Sequence, residues 1–137
     1  MRFSPPRILL GLISASALSQ GIPATAPTVG KIIMYRGSSI MGAGVACPIR
    51  YKGQEIVELG RGKFAEWLVT PGRYILTNHT SSVEVEVDPG DTRYVRCMIK
   101  NGMLTSRADL QIVDEESFGE QRGKLEQKPV AAPLAPQ

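Results

Sequence analysis

Two Pro-Gly turns with an alternating stretch between them constrain the fold of this chain more than any other feature. Pro71-Gly72 and Pro89-Gly90 each follow a valine-containing stretch and precede an Arg-Tyr pair. Proline fixes φ near the value that the second turn position requires, and glycine accepts the positive φ of the third. Between the turns, residues 83–87 read VEVEV, the period of a strand with one buried and one exposed face. The pattern predicts antiparallel β structure.

Similar strand segments recur at intervals of about 8 to 12 residues, with a turn signal between neighbours. They cover residues 31–36, 45–51, 55–59, 63–69, 73–78, 83–87, 92–100 and 110–113. No long segment has a helical period, so the sequence predicts an all-β fold, a two-sheet antiparallel β-sandwich of seven or eight strands. Its predicted core consists of inward-facing strand residues: Ile49, Val57, Trp67, Tyr74, Leu76, Val83, Val85, Val95, Ile99 and Ile112.

The N-terminal 30 residues differ from this pattern. Residues 1–19 carry Arg2 and Arg7, then an apolar run and small residues, which is typical of a secretory signal peptide. A buried N-terminal helix or a retained membrane anchor is the alternative. The apolar run is too short to span a bilayer, and no cysteine for a lipid anchor lies near the cleavage zone. We therefore expect a mature chain without a membrane span, which begins with a flexible spacer over residues 20–30.

The domain is predicted over residues 31–113, and a flexible tail over residues 114–137 that is first charged and then rich in Pro and Ala. A short helix over residues 114–124 is the alternative, against which Gly119 and Gly123 weigh. Removal of the signal peptide takes two of the 16 basic residues, which leaves 14 against 13 acidic ones. With a net charge of only +1 and no dense basic run, we expect no binding to nucleic acid.

The chain has two cysteines, and both share the phase of the apolar residues in their strands. Cys47 alternates with Val45 and Ile49, and Cys97 alternates with Val95 and Ile99. Both thiols therefore point toward the core, where a disulfide would stabilise an exported domain by about 4 kcal/mol. Two buried free thiols are the alternative.

Several short motifs together carry a family resemblance. They are Met34-Tyr35-Arg36, IRYKGQEI at 49–56, LGRG at 59–62, VTPG at 69–72, residues 87–96, and LQIVDE at 110–115. In order and spacing, residues 31–113 resemble DUF2846, a small domain of the bacterial envelope related to the PEGA and transthyretin-like β-sandwiches. The resemblance implies a fold and an extracytoplasmic compartment, periplasmic or secreted, but no activity.

No combination of residues indicates catalysis, and we expect neither a metal nor a cofactor. His79 is the one histidine and lies in a polar loop, too isolated for a metal site or a nucleophile–base pair. Glu84 and Glu86 share a strand face, but their alternation with valine is explained by solvent exposure. Asp88 and Asp91 are typical turn formers. The Gly/Ser-rich segment 37–44 lacks the spacing of a phosphate-binding loop, which favours a loop between strands.

Four large apolar residues have the phase opposite to the core. They are Phe64 and Leu68 in one strand and Tyr94 and Met98 in another. We predict that they form one exposed patch and hence a candidate interaction surface. Scattered single exposure, or cover by the C-terminal tail, is the alternative.

These observations favour a non-catalytic periplasmic or secreted module that binds another component of the cell envelope, a protein or a cell-wall component. Contact through a sheet face, an edge strand or the loop 37–44 would each be available. The alternative is a carrier that holds a small apolar ligand on the outward apolar residues or between the sheets. An enzyme is the third hypothesis. It ranks last because no recognisable set of catalytic residues supports it.

Overall fold

The computed structural model describes residues 2–3, 11, 28–40, 44–101, 103 and 106–131. Most of the predicted signal peptide and most of the predicted spacer lie outside the described residues. In the described part, the elements are β1 (Gly30–Arg36), β2 (Pro48–Tyr51), β3 (Gln54–Glu58), β4 (Lys63–Val69), β5 (Gly72–Thr77), β6 (Ser82–Val87), β7 (Thr92–Asn101), β8 (Ser106–Val113), α1 (Glu115–Arg122) and β9 (Glu126–Gln127).

The strands form two sheets, which confirms the predicted all-β sandwich. The five-stranded sheet has the order β8-β7-β1-β4-β9, and the four-stranded sheet the order β3-β2-β5-β6. Most neighbours are antiparallel, as expected, but β1 lies parallel to β7, and β4 lies parallel to β9. The first residue of β1, Gly30, packs directly against Val87, because a Cβ on Gly30 would lie 2.2 Å from Cγ1 of Val87. Only glycine fits there.

Local turn chemistry is confirmed at two predicted positions. Lys52 and Gly53 both have positive φ, 50° and 78°, and join β2 to β3 as a two-residue hairpin. Gly90 also has a positive φ of 78°, and the amide of Asp91 donates to the carbonyl oxygen of Asp88 at 3.0 Å. These turns set the register of the strands that flank them.

The space between the sheets holds the main hydrophobic core, which we call the inner core. At its centre the rings of Tyr51, Trp67 and Tyr74 lie with centroids 5.3 to 5.6 Å apart. Seven of the ten predicted core residues are buried: Ile49, Val57, Trp67, Tyr74, Leu76, Val85 and Val95. Val83 and Ile99 are half-buried against this core. The prediction is wrong for Ile112, which is 50% exposed: it lies near the C-terminal end of the edge strand β8, whereas Leu110 in the same phase is buried.

A disulfide joins Cys47 to Cys97, as one of the two alternatives predicted. The two Cα atoms are 6.7 Å apart, and both residues are buried in the inner core. Cys47 immediately precedes β2 in one sheet and Cys97 lies in β7 of the other. The bond therefore ties the two sheets together at one end of the sandwich.

The expectation of a flexible tail is wrong for residues 114–131. The side chain of Asp114 accepts from the amide of Ser117 and caps α1, and Gly119 lies inside the helix. After the helix, the chain pairs with β4, where the amide of Lys128 donates to the carbonyl oxygen of Phe64 at 2.7 Å. The amide of Ala131 then donates to Ile56 of β3 at 2.7 Å. The tail thus bridges the two sheets along one side of the sandwich.

A second, smaller core lies under α1, on the outward face of the five-stranded sheet. We call it the outer core. Its buried members are Ile33, Tyr35, Phe64, Phe118 and Leu125, with Tyr94 and Val113 packed against them. Phe118 is the one helix residue that is buried, and its ring lies between 5.2 and 5.7 Å from three aromatic rings of the sheet. The five-stranded sheet is therefore covered on both faces.

Candidate functional site

The structure separates the four residues of the predicted interaction surface. Phe64 is 1% exposed, because Phe118 and the guanidinium of Arg122, 4.4 Å from its ring centroid, cover it. Tyr94 lies under the same helix. Leu68 is 51% exposed. Met98 is half-buried and lies four residues after Tyr94 in β7. The prediction of one exposed patch is wrong, and cover by the tail accounts for Phe64 and Tyr94.

The histidine and the carboxylates considered in the sequence analysis lie apart. His79 is exposed and lines a groove of about 200 Å³, whose other lining residues are Val45, Ala46, Pro48, Asn78, Thr80, Ser106, Arg107 and Ala108. Glu84 pairs with Arg73 at 2.6 Å on the outward face of the four-stranded sheet. Among the described residues, no group of three or more His, Cys, Asp or Glu side chains is placed to hold a metal ion.

Basic side chains gather instead at the end of the sandwich where β1 stops. Four of them surround the backbone of residues 37–39, and we call this set the basic end: Arg36, Arg61, Arg96 and Lys124. Three elements converge here, because the amide of Gly62 donates to the carbonyl oxygen of Gly37 at 3.1 Å and the amide of Glu126 donates to Gly62 at 2.9 Å. The loop after β1, the start of β4 and the tail thereby hold one another in place.

Arg36 is a charged residue on the inward face of β1 and is 3% exposed. Its guanidinium donates to the carbonyl oxygens of Val45 at 2.5 Å and Leu59 at 3.2 Å. Burial lowers the pKa of Arg36, and the nearby charge of Arg61 lowers it further. Backbone carbonyl dipoles therefore solvate the charge on Arg36. The nearby charge of Arg61 has the same sign and repels it.

Arg96 lies on the outward face of β7, between the outer core and the loop after β1. Its guanidinium carbon is 6.0 Å from the ring centroid of Tyr35, and Nη2 lies 3.6 Å from the position of a Cβ on Gly37. Its buried Nε and the buried hydroxyl of Tyr35 have no hydrogen-bond partner among the described residues. Burial raises the pKa of Tyr35, which the charge of Arg96 partly offsets. Two neighbouring residues therefore each carry a desolvated polar group.

Two concave regions flank the backbone of residues 37–39. One, of about 190 Å³, is lined by Arg36, Gly37, Ser39, Arg96, Cys97, Met98 and Ile99. We call it the β1–β7 cleft. The other, about 340 Å³, is lined by Ser38, Ile40, Arg61, Gly62, Lys63, Lys124 and Glu126. Lys63 pairs with Glu126 in the second region, which lowers the pKa of that carboxylate. Among the residues that the structure describes, no carboxylate lines the β1–β7 cleft.

Sequence reasoning missed the basic end because the net charge of the chain is small, +3 for the full sequence. Arg36, Arg61, Arg96 and Lys124 lie far apart in the sequence and form no basic run. One signal was available: Arg36 has the same phase as Ile32 and Met34, so alternation places a charge on the buried face of β1. A charged residue in such a position requires a compensating arrangement, which often marks a site.

No protein-family model, no curated protein and no solved structure matches the chain. Across the part of the chain that the structure describes, no helix is both long enough and apolar enough to cross a membrane.

Proposed function

We propose that this chain is a non-catalytic module of the bacterial cell envelope, periplasmic or secreted, which binds another envelope component through its basic end. The observation that carries the proposal is an imbalance of charge. Arg61, Arg96 and Lys124 form no ion pair with any residue that the structure describes, although other surface cations do. A cluster of like charges around a concave surface favours a partner with negative charge.

The compartment is supported by three features. The Cys47–Cys97 disulfide is a bond that persists in oxidising environments. The signal-peptide pattern of residues 1–19 and the resemblance to DUF2846 point the same way. Together they favour export before the protein acts.

The basic end is favoured over a sheet face or an edge strand because the tail and a loop cover part of those surfaces. The outward face of the five-stranded sheet is covered by α1, and β9 lies along part of the free edge of β4. On the edge of β8, Asn78 donates to the carbonyl oxygen of Ala108 at 2.7 Å, and the amide of Leu110 donates to Ser81. These contacts blunt the edges that strand addition would use.

The carrier hypothesis has less support. Aromatic rings and the disulfide fill the space between the sheets, and the apolar groove beside His79 has a volume of about 200 Å³. Sites for drug-sized ligands usually measure about 300 to 1,000 Å³. A lipid tail would not be enclosed there.

Photo-crosslinking in the producing cells tests the proposal. A benzophenone amino acid is placed at Ser38 or Arg61 in the basic end, at Leu68 on the five-stranded sheet, or at Glu84 on the four-stranded sheet as a control. Benzophenone inserts into C–H bonds, so it captures protein, glycan or lipid alike. We expect adducts from positions 38 and 61 and none from position 84.

Adducts that form only from position 68 would show that the partner binds the sheet face. They would contradict the proposal that the basic end is the binding surface. An absence of adducts at all four positions, with the protein exported at normal levels, would contradict the binding function itself.

A further inference from the structure

We infer that the β1–β7 cleft is a binding site for a carboxylate attached to a small aliphatic group, as at the C-terminus of a peptide that ends in an aliphatic residue. This inference rests on the proposed function and names the chemistry that the basic end would recognise.

The charge inside the cleft is the first argument. Arg36 and Arg96 both line it, and its other lining residues carry no charge: Gly37, Ser39, Cys97, Met98 and Ile99. Asp114 and Glu120 are the carboxylates whose charges act on neighbouring Tyr35. Neither forms an ion pair with Arg96 in the described structure. A half-buried cation that lacks an anionic partner is costly, and an incoming carboxylate would remove that cost.

The position of Arg96 is restrained before any ligand arrives. Its guanidinium carbon lies 6.0 Å from the ring centroid of Tyr35, and Nη2 lies 3.6 Å from the point that a Cβ on Gly37 would occupy. The ring and the neighbouring backbone limit the rotamers of the arginine. A guanidinium held in one plane presents paired N–H donors to a planar carboxylate, which adds geometry to the charge attraction.

The apolar lining of the cleft predicts the aliphatic part of the ligand. Met98 and Ile99 line it, next to Cys97 of the disulfide, so an aliphatic group would contact apolar side chains beside the arginines. A volume of about 190 Å³ is smaller than a site for a drug-sized molecule, which limits the ligand to a terminal group.

The backbone of β7 is available in the same place. The pairing of β1 with β7 ends at Arg36 and Cys97, whereas β7 continues to Asn101. Among the described residues no strand pairs with this last part of β7 on the side of β1. An extended peptide could align there and place its C-terminal carboxylate near Arg96.

NMR titration of the purified mature protein with N-acetyl-leucine tests the inference. We expect saturable shifts of the amide signals of Gly37, Ser39 and Ile99 and of the Arg96 Nε–H signal. A ligand this small should bind with a dissociation constant of about 1 mM. N-acetyl-leucinamide, which lacks the charge, and acetate, which lacks the aliphatic group, should each bind more weakly by about tenfold or more.

Arg96→Gln should weaken binding of N-acetyl-leucine by at least about tenfold, because it removes a charge-assisted hydrogen-bonding group. Arg93→Gln is the matched control: it removes the same charge from the same strand, but Arg93 pairs with Asp91 at 3.4 Å at the opposite end. We expect unchanged binding for this control. Near-UV circular dichroism of both variants verifies that the aromatic packing is retained.

Equal binding of N-acetyl-leucine and its amide, or equal loss in both variants, would overturn the inference. Inorganic phosphate that binds as tightly as N-acetyl-leucine at the same signals would also overturn it, since it would assign a general anion site. If N-acetyl-leucine fails to bind while positions 38 and 61 still crosslink in cells, the carboxylate is wrong and the proposed function stands. Failure of both experiments would remove the proposed function as well.

Discussion

The inner core and the outer core lie on opposite faces of the same five-stranded sheet, but they are built differently. The inner core receives residues from both sheets and is closed by the Cys47–Cys97 disulfide. The outer core consists of a few sheet residues under an eight-residue helix that contributes one buried side chain, Phe118. A helix of this length is marginal on its own, so it depends on the sheet for its stability. The comparison teaches that apolar residues on the outward face of a strand can be buried by another segment of the same chain.

The two cores should also differ in how far a defect spreads. The inner core joins the sheets, so its loss affects the whole domain. The outer core is attached through α1 and the short strand β9, and it can open while the sandwich remains folded. The following predictions test this difference, from the largest expected effect to the smallest.

Trp67→Ala should destabilise the protein most. Trp67 is 1% exposed and contacts both Tyr51 and Tyr74, so truncation leaves a large cavity. We expect the free energy of unfolding, measured by urea titration, to fall by about 5 kcal/mol. Ile75→Ala is the control, since Ile75 is 55% exposed and its truncation should cost less than about 0.5 kcal/mol. Similar effects of the two substitutions would contradict the assignment of the inner core.

Replacement of both Cys47 and Cys97 by Ala should lower the free energy of unfolding by about 4 kcal/mol, because a closed loop with a sequence separation of 50 residues is released. The measurement is urea unfolding of the double variant beside the wild type, with and without reductant. Reductant should destabilise the wild type and leave the double variant unchanged. A wild type that reductant does not affect would show that the bond contributes little.

Phe118→Ala should destabilise the outer core by about 3 kcal/mol, the low end for a buried aromatic residue, because one face of the helix can relax toward solvent. Hydrogen exchange should become faster in residues 114–131 and remain slow in β2, β5 and β6. Equal acceleration in all strands would mean that the two cores form one cooperative unit, and the distinction drawn above would be lost.

The smallest effect is expected at the N-cap of α1. Acceptance of the Ser117 amide lowers the pKa of Asp114 below the usual value of about 3.9. Since the pKa is lower in the folded state, the cap stabilises the helix above the unfolded-state pKa and loses this contribution as pH falls through the folded-state pKa. The Ser117 amide signal should therefore titrate with a midpoint lower than that of an Asp in an unfolded peptide.

Two variants separate the charge of Asp114 from its capping role. Asp114→Asn should keep the helix, because Asn is an equally good N-cap, and should abolish the titration of the Ser117 signal. Asp114→Ala should accelerate hydrogen exchange in α1 a few-fold. A titration that persists in the Asn variant would assign it to another carboxylate.

Much of the sandwich could be predicted from the sequence, because its signals are local. The strands β1 and β4 to β8 were predicted within a few residues, and Lys52-Gly53 identified the hairpin of β2 and β3. Alternation also placed both cysteines on the buried face. The assumption that failed was that the outward face of every strand meets solvent, which misassigned Phe64 and Tyr94 as an exposed patch.

The tail and the basic end could not be predicted in the same way. α1 has one buried residue in a polar sequence with Gly119, so no amphipathic period reveals it. The cations of the basic end come from the end of β1, the loop before β4, β7 and the segment after α1. No window along the chain contains them together.

The sequence by itself determined the strands, the turns between them, and the inward phase of the cysteines. Each of these depends on residues close together in the chain, through backbone conformation and the two-residue period of a strand. Tertiary structure alone decided the parallel pairing of β1 with β7, the docking of Phe118 on the outward face, and the gathering of Arg36, Arg61, Arg96 and Lys124. These depend on contacts between distant segments, whose free energy is set by packing and by the charges brought near one another, and no local pattern encodes them.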